Sequence, residues 1–486
     1  MQASIATATL VGVDAVPVEV QADVSSGLPV FGIVGLADAA VQEARDRVRA
    51  ALRSSGYEFP NARVIVNLAP APLRKHGTGF DLPIALAVLC ATGQLPRSAF
   101  ADVNAVGELG LDGTVRAVPG MLAHAVAASG QQRALLGPAD AAGVVAAVPD
   151  LHYRPVSSIA RVRMGLPDVE SGADTASIPA CGVEVDLADI AGHQCAKRCL
   201  EIAATGGHNM LFVGPPGSGK SMLAKALCGL LPPLSPAERL EAALVHSVAG
   251  RDPLPCLAGV RPFRAPHHSC TIAGLVGGGT PPIPGEISLA HTGVLFLDEL
   301  PEFGPGALQA LRQPIEEGAV TLVRANGAIR YPARVTVVAA MNPCPCGYAG
   351  DPQRACGCTP GAISKYNGRI GGPLYDRMDM SVRVDRIDPA LLIGTEISSD
   401  PSSEARDRVL RARDFARTRG HGEVRRHLDA PARALLETAA RRSSLSGRAV
   451  TRMLRVARTI ADLAEDPTIG EEHIAEALGY RTWEAQ

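Results

Sequence analysis

Aromatic side chains are scarce in this 486-residue chain, at 3% of positions with a single tryptophan. That scarcity argues against binding single strands by base stacking, which needs a series of aromatic faces. Charge of one sign is missing too: 47 Lys+Arg stand against 49 Asp+Glu, a formal charge of −2. A uniformly basic nucleic-acid coat is thereby excluded, although a local basic patch is not. No run of eighteen apolar residues occurs, so no membrane-spanning helix is expected. The opening residues, MQASIATATLVGVDAVPVEV, lack a basic stretch and their first charge is acidic, unlike a secretory leader. Eleven cysteines do not make a disulfide framework in a chain this long. Four of them cluster between 344 and 358, which points to metal in a reducing cytoplasm.

What is present, 47% hydrophobic and 20% charged residues, describes a globular protein of two or three domains. Short β-branched runs alternate with helical stretches, which predicts a multidomain α/β fold. VPVEVQADV and VIVNLAP read as strands. AAVQEARDRVRAALRSSG reads as an amphipathic helix closed by glycine, and DLPIALAVLCATG as an apolar one. The expected organisation is a first domain at 1–156, a Pro/Gly-spotted linker at 157–185, an α/β core at 186–385, and an Arg-rich helical domain at 386–486.

MLFVGPPGSGKSMLAKAL carries the sharpest signal. Gly214, Gly219, Lys220 and Ser221 satisfy G-x-x-x-x-G-K-[ST] between a strand and a helix, as a P-loop requires. The loop Gly214, Pro215, Pro216, Gly217, Ser218 and Gly219 would wrap its N–H groups around phosphates of ATP at a helix N-terminus. Lys220 would reach the β and γ phosphates and Ser221 would ligate Mg²⁺. GVLFLDEL then reads as a buried strand ending in Asp298, a partner for the Mg²⁺ shell, and Glu299, a base for the attacking water. A third strand, ARVTVVAAMNP, ends in Asn342, an amide placed to orient water or touch the γ phosphate.

The order P-loop, FLDE, strand-Asn342 and GGPLYDRMDM resembles the magnesium-chelatase-like AAA+ ATPases, and within them the ComM/YifB type. RPFRAPHHSCTIAGLVGGG, PGEISLAHTGVLFLDELPEF, AAMNPCPCGYAGDP and GRAVTRMLRVARTIADL are similar to that family's motifs, and the resemblance spans essentially the whole chain. It implies a hexamer in which Arg377 acts as an arginine finger on the neighbouring subunit's nucleotide. It also implies that Arg448 is a sensor arginine within its own subunit, against the alternative of a solvated helix face. Either job suits a planar, permanently charged guanidinium. The family usually has serine before GPLLDR, where Gly371-Gly372-Pro373 stands here.

GLPVFGIVGLADAAVQEARDRVRAAL, VNLAPAPLRKHGTGFDLPIA and GELGLDGTVRAVPG resemble the Lon-protease-like domain at the front of the same family. Lon chemistry needs a serine with a lysine to deprotonate it. The resemblance places Gly79 at the serine and Leu122 at the lysine, so the dyad is absent, with Lys75, His76 and Thr78 nearby. This domain is expected to pack on the ring or bind a partner.

Cys344, Cys346, Cys356 and Cys358 form C-x-C-x9-C-x-C just after Asn342. Two readings stay open, a structural Zn²⁺ site and four reduced thiols packing a compact loop. Cys195 and Cys199 are expected in a helix core. His267-His268 with Cys270 can bind metal, although the resemblance favours an insert facing substrate or an interface. AVTLVRANGAIRYPARV predicts a β-hairpin turning at Asn326-Gly327. In this family the hairpin points into the ring's pore, and Arg324 and Arg330 would flank its tip. The arginines between 406 and 458 form either a DNA-facing surface or a solvated helical face. The resemblance implies a cytoplasmic homohexameric ATPase moving on single-stranded or branched DNA, in branch migration beside recombination proteins. The rival is a chelatase-type motor that remodels a protein without DNA.

Overall fold

A computed structural model describes residues 1–165, 185–324, 327–387, 400–420, 427–443 and 445–481. The first unit is a seven-stranded sheet ordered Val30–Val34, Arg63–Ala69, Asp14–Ser25, Gln2–Val11, Val103–Ala105, Ala134–Pro138 and Tyr153–Val156. Its central pair is antiparallel, from Gln2 opposite Asp23 to Val11 opposite Asp14. Period-two alternation turns Val18, Val20, Ala22 and Val24 inward. The helix Asp81–Ala91 is buried at every position, which suits a sequence apolar all round. The amphipathic helix Ala39–Ser54 packs on it through Val41, Ala44, Val48 and Leu52. Asp38 starts that helix by accepting the Val41 N–H at 2.9 Å.

The expected linker begins too early. Ile159–Met164 is a 3₁₀ helix whose Ile159 and Val162 are buried in the first core, and Ser158 caps it through the Ala160 N–H. Two apolar residues among basic ones concealed this from composition. Residues 166–184 of the linker lie outside the described residues.

The second unit holds a five-stranded, wholly parallel sheet. Its order is Phe263–Arg264, Val294–Leu297, Thr336–Met341, Met210–Val213 and Met380–Arg383. MLFV, VLFL and TVVAAM are buried throughout, as strands covered on both faces must be. The helices Gln194–Gly206 and Lys220–Leu230 share a core with helices Ser402–Arg419, Ala430–Arg442, Gly447–Leu463 and Glu471–Gly479. Cys199 is in that core, whereas Cys195 is exposed, a correction to the expectation for the pair.

The C-terminal arginines divide into two sets, one of them engaged within the protein. Arg406 donates to the Gly229 carbonyl and Arg413 to that of Ala204. Arg408 pairs with Glu201, and Arg419 and Arg458 both meet the buried Asp462. These five are engaged within the protein, whereas Arg411, Arg417, Arg433, Arg441, Arg442, Arg448 and Arg455 are exposed, so the expected arginine surface, DNA-facing or solvated, rests on this second set. No helix among the described residues is long and apolar enough to cross a membrane.

The two units share apolar surface. Leu122, Ala125 and Ala128 of the helix Met121–Gly130 form a common core with Leu234, Ala242, Ala243 and Cys256 around the helix Pro236–Val248. The Gly120 N–H donates to the Ser247 carbonyl at 2.8 Å. Beside this seam, Ala319–Arg324 and Gly327–Pro332 pair as an antiparallel hairpin, from Ala319 opposite Pro332 to Arg324 opposite Gly327. Of the expected turn, Asn326 lies outside the described residues.

Candidate nucleotide site

The strand Met210–Val213 lies between Thr336–Met341 and Met380–Arg383, and the P-loop leaves its carboxyl end. Ligands of parallel α/β sheets collect at that edge. Gly214 sits so close to its neighbour that a Cβ there would lie 2.0 Å from the Val384 carbonyl oxygen. Gly217 and Gly219 take φ of +77° and +87°, conformations that favour glycine. The Lys220 ammonium turns back into the loop, donating to the carbonyls of Gly214 and Pro215 at 2.8 Å each and to Asn342 Oδ1 at 3.4 Å. Burial pushes this lysine below its ordinary pKa, while Asp298 and Glu299 pull it upward. Ser218 Oγ is buried without a hydrogen-bond partner.

Asp298 sits at the end of the neighbouring-but-one strand, and its Oδ2 accepts the Ser221 hydroxyl at 3.1 Å. Hard oxygen donors this close suit Mg²⁺. Glu299 follows in the left-handed region at φ +50°, with its N–H on Asp298 Oδ1 at 2.9 Å and its side chain 55% exposed. Lys220, Ser221, Asp298, Glu299 and Asn342 thus lie at the ends of three adjacent strands.

The two arginines lie differently. Arg377 Nη2 meets Glu316 at 2.7 Å and its Nε donates to the Arg312 carbonyl at 3.3 Å, leaving the side chain 13% exposed. Arg448 is exposed in the first turn of Gly447–Leu463. Arg452, one turn on, reaches the Arg377 segment through Asp376 at 3.5 Å and the Met378 carbonyl at 3.3 Å. Gly371 has φ +71°, a left-handed conformation that serine would adopt at a cost.

Two histidines join the site beyond the residues expected at it. His268 Nδ1 lies 3.2 Å from Glu299 Oε2, and its ring packs on His267 with centroids 4.0 Å apart. The chain reaches it from Phe263–Arg264, the edge strand paired with Val294–Leu297. His193, ahead of the helix Gln194–Gly206, lies beside Gly219, and burial lowers its pKa. The first belongs to the His267-His268-Cys270 group singled out in the sequence, there without its link to Glu299; nothing in the sequence hinted at the second.

The Cys344, Cys346, Cys356 and Cys358 thiols all lie within 4.8 Å of one another. In the first unit, Lys75, His76 and Thr78 are engaged separately. Lys75 is fully buried with its ammonium on the Pro70 carbonyl, the Thr78 hydroxyl donates to Glu108, and His76 faces Asp38 at 3.3 Å. Leu122 is buried in the seam between units. The hairpin's Arg324 and Arg330 are both exposed, but the strand register puts them on opposite faces.

Comparison with known proteins matches all three parts of the chain. The family model described as magnesium chelatase, subunit ChlI, matches residues 186–392. Models for subunit ChlI of Mg-chelatase and for its C-terminal part match residues 20–140 and 399–481. YifB of Escherichia coli K12 is 41% identical over 490 residues, covering 98% of this chain and 96% of that protein. Competence protein ComM of Haemophilus influenzae is 42% identical over 489 residues, covering 97% and 95%. Rv2897c of Mycobacterium tuberculosis is 42% identical over 498 residues, covering 97% and 96%. With its P-loop site and this full-length similarity, the chain belongs to the magnesium-chelatase-like family, in the group that contains YifB and ComM.

Proposed function

We propose that the chain is the subunit of a homohexameric AAA+ ATPase that moves along or remodels DNA, in the manner of branch migration during recombination. The observation that carries this reading is the meeting of Lys220, Ser221, Asp298, Glu299 and Asn342 at the carboxyl ends of three adjacent parallel strands. Lys220, which now caps the loop's own carbonyls, exchanges them for phosphate oxygens of ATP. Ser221 and Asp298 hold Mg²⁺, which neutralises charge on the phosphates. Glu299 accepts the proton of the attacking water, and Asn342 orients that water. Arg377 exchanges Glu316 for the nucleotide of the adjoining subunit, and Arg448 reaches the γ phosphate from its own helical domain. Cys344, Cys346, Cys356 and Cys358 hold a structural Zn²⁺. The exposed hairpin residues Arg324 and Arg330 meet the DNA backbone without reading sequence. Similarity to a protein named for competence supports DNA over a protein substrate. The first unit, Lon-like in sequence but lacking the dyad, serves as a packing partner of the motor.

The test is steady-state ATP hydrolysis with and without single-stranded or forked DNA, alongside Glu299→Gln. DNA is expected to raise the rate, and the variant to bind nucleotide while turnover falls by about 100-fold or more. Hydrolysis indifferent to every DNA would refute the DNA reading in favour of a motor that remodels a protein partner. Undiminished turnover in the variant would refute the assignment of Glu299.

A further inference from the structure

Residues 342–359 contain neither helix nor strand, yet they bring four sulfurs together. Cys344 Sγ lies 3.3 Å from Cys346 and 3.6 Å from Cys356, and Cys346 lies 3.6 Å from Cys356. Thiolates about 2.3 Å from one tetrahedral ion stand about 3.8 Å apart, so these separations fit a shared Zn²⁺. They are far longer than the roughly 2.05 Å of a disulfide. Two backbone donors aim at the sulfurs, Ala349 N–H on Cys344 at 3.3 Å and Cys358 N–H on Cys356 at 3.4 Å, an outer shell of the kind that orients metal ligands.

The position of this loop matters more than its composition. Cys344 follows Asn342 by two residues, and the Gly347 N–H returns to the Cys344 carbonyl at 3.0 Å. Gly347 has φ +87°, and a Cβ there would lie 2.7 Å from Pro216 Cδ of the P-loop and 3.9 Å from Asn342 Cγ. On the other side, the Gly350 carbonyl accepts from Arg383, the last residue of the strand beside the P-loop strand. Asp351 meets Arg386 at 3.3 Å, two residues beyond the Val384 that packs on Gly214. The loop therefore touches the P-loop, the Asn342 amide and the exit of the adjacent strand at once.

We propose that the metal-bound cysteine loop is a wall of the nucleotide pocket, so that Zn²⁺ bound at Cys344, Cys346, Cys356 and Cys358 sets the affinity for ATP by holding Gly347 against Pro216 and Asn342. This inference rests on reading the four thiols as a Zn²⁺ site and the P-loop as the ATP site. Without the ion, the order of a segment lacking helix and strand must be met by few other contacts, and binding an ion supplies that ordering free energy.

The test uses the full chain. Zinc is measured in the purified protein, and a fluorescent ATP analogue is titrated with Mg²⁺ before and after a zinc-selective chelator, then after adding Zn²⁺ back. About one zinc per chain is expected, and its removal is expected to weaken analogue binding by about tenfold or more, reversibly, the scale on which outer-shell supports act. Gly347→Ala, which keeps every thiol but forces a methyl toward Pro216, is expected to retain zinc and lose affinity to a similar degree. Zinc present but removable without a twofold change in affinity would overturn the inference and leave the metal site standing. Protein that neither carries nor takes up zinc, yet binds the analogue, would overturn the metal reading and leave the ATP site standing. A Gly347→Ala protein with full zinc and wild-type affinity would also sink the contact.

Discussion

Two glycines of one loop separate close approach from backbone conformation. Gly214→Ala adds a Cβ that would sit 2.0 Å from the Val384 carbonyl oxygen, 2.9 Å from its carbon and 3.0 Å from Ser218 Oγ. Ordinary contact begins near 3.4 Å, so the P-loop must retreat by about 1.4 Å, or the Val384 strand must. That strand is fixed by the Val384 N–H on the Val213 carbonyl at 2.8 Å and by its pairing with Met210–Val213, so the loop is the part that moves. A displacement of about 1 Å in a positioning element can cost roughly 100-fold in rate. Gly217→Ala meets nothing within 4 Å but must adopt φ +77°, which costs roughly 1–2 kcal/mol, about tenfold if all of it appears in binding. Titration of a fluorescent ATP analogue and steady-state hydrolysis on both variants should therefore rank Gly214→Ala far below Gly217→Ala. Circular dichroism should show helix content kept in both. The reverse ranking, or wild-type behaviour of Gly214→Ala, would refute the claim that contact with Val384 places the loop.

Other expectations follow from single contacts. Burial lowers the His124 pKa to about 4. The unfolded chain then binds the extra proton first, so stability is full above about pH 6.5 and falls as pH drops toward 4, by roughly 2 kcal/mol at pH 5. Urea melts of the first unit's signal at pH 7 and pH 5 should show this loss, and His124→Leu should remove it; an unchanged pH dependence in that variant would assign the effect elsewhere. His268→Ala should lower kcat by about tenfold at constant KM, the scale on which a group that orients a catalytic one acts. His268→Asn, which keeps a nitrogen near the Nδ1 position, should recover it, and wild-type turnover in the alanine variant would show the Glu299 contact to be idle. If Arg377 acts between subunits, Lys220→Ala and Arg377→Ala chains, each inactive alone, should regain hydrolysis when mixed and reassembled. No recovery in mixed particles would place the arginine's role within its own chain.

The parts of the site legible in sequence are those whose chemistry is local. The P-loop is one continuous stretch whose glycines, lysine and serine are all needed by one loop. The apolar strands ending at Asp298 and Asn342 betray burial on both faces by composition alone. What escaped depends on partners far away in the chain. His268 stood out in the sequence beside His267 and Cys270, but its contact with Glu299 exists only because an edge strand of two residues delivers it there. His193 is significant only because its helix starts beside Gly219. Part of the C-terminal arginine set was misread for a related reason. Counting charge along a helix cannot distinguish water from a neighbouring carbonyl, and Arg406 and Arg413 spend their donors on the Gly229 and Ala204 carbonyls. At the linker, Ile159 and Val162 needed the whole first core to reveal their burial.

The hairpin shows how the first unit bears on the second. Tyr331, 1% exposed, packs with Ala123 and Val248 against Leu10, Val13 and Ile329, and its hydroxyl donates to the Pro282 carbonyl at 2.8 Å. Gly12, at the turn of the first hairpin, faces Ile329 so closely that a Cβ would lie 3.2 Å from its Cγ2. The root of the second hairpin is therefore clamped between the two units, whereas Val323 near its tip is 76% exposed. Close-packed interfaces yield by rigid shifts rather than by stretching. A hairpin that moves relative to the parallel sheet must either open the core around Tyr331 or carry Leu10–Ala15 with it. Cavity formation around a buried aromatic costs about 3–5 kcal/mol, so the hairpin root, the Leu10–Ala15 turn and the seam at Leu122 and Ala242 resist moving separately. Ala123 of this cluster adjoins Leu122, which packs with Leu234, Ala242 and Ala243 in the neighbouring seam, so the two units meet over one continuous helix, Met121–Gly130.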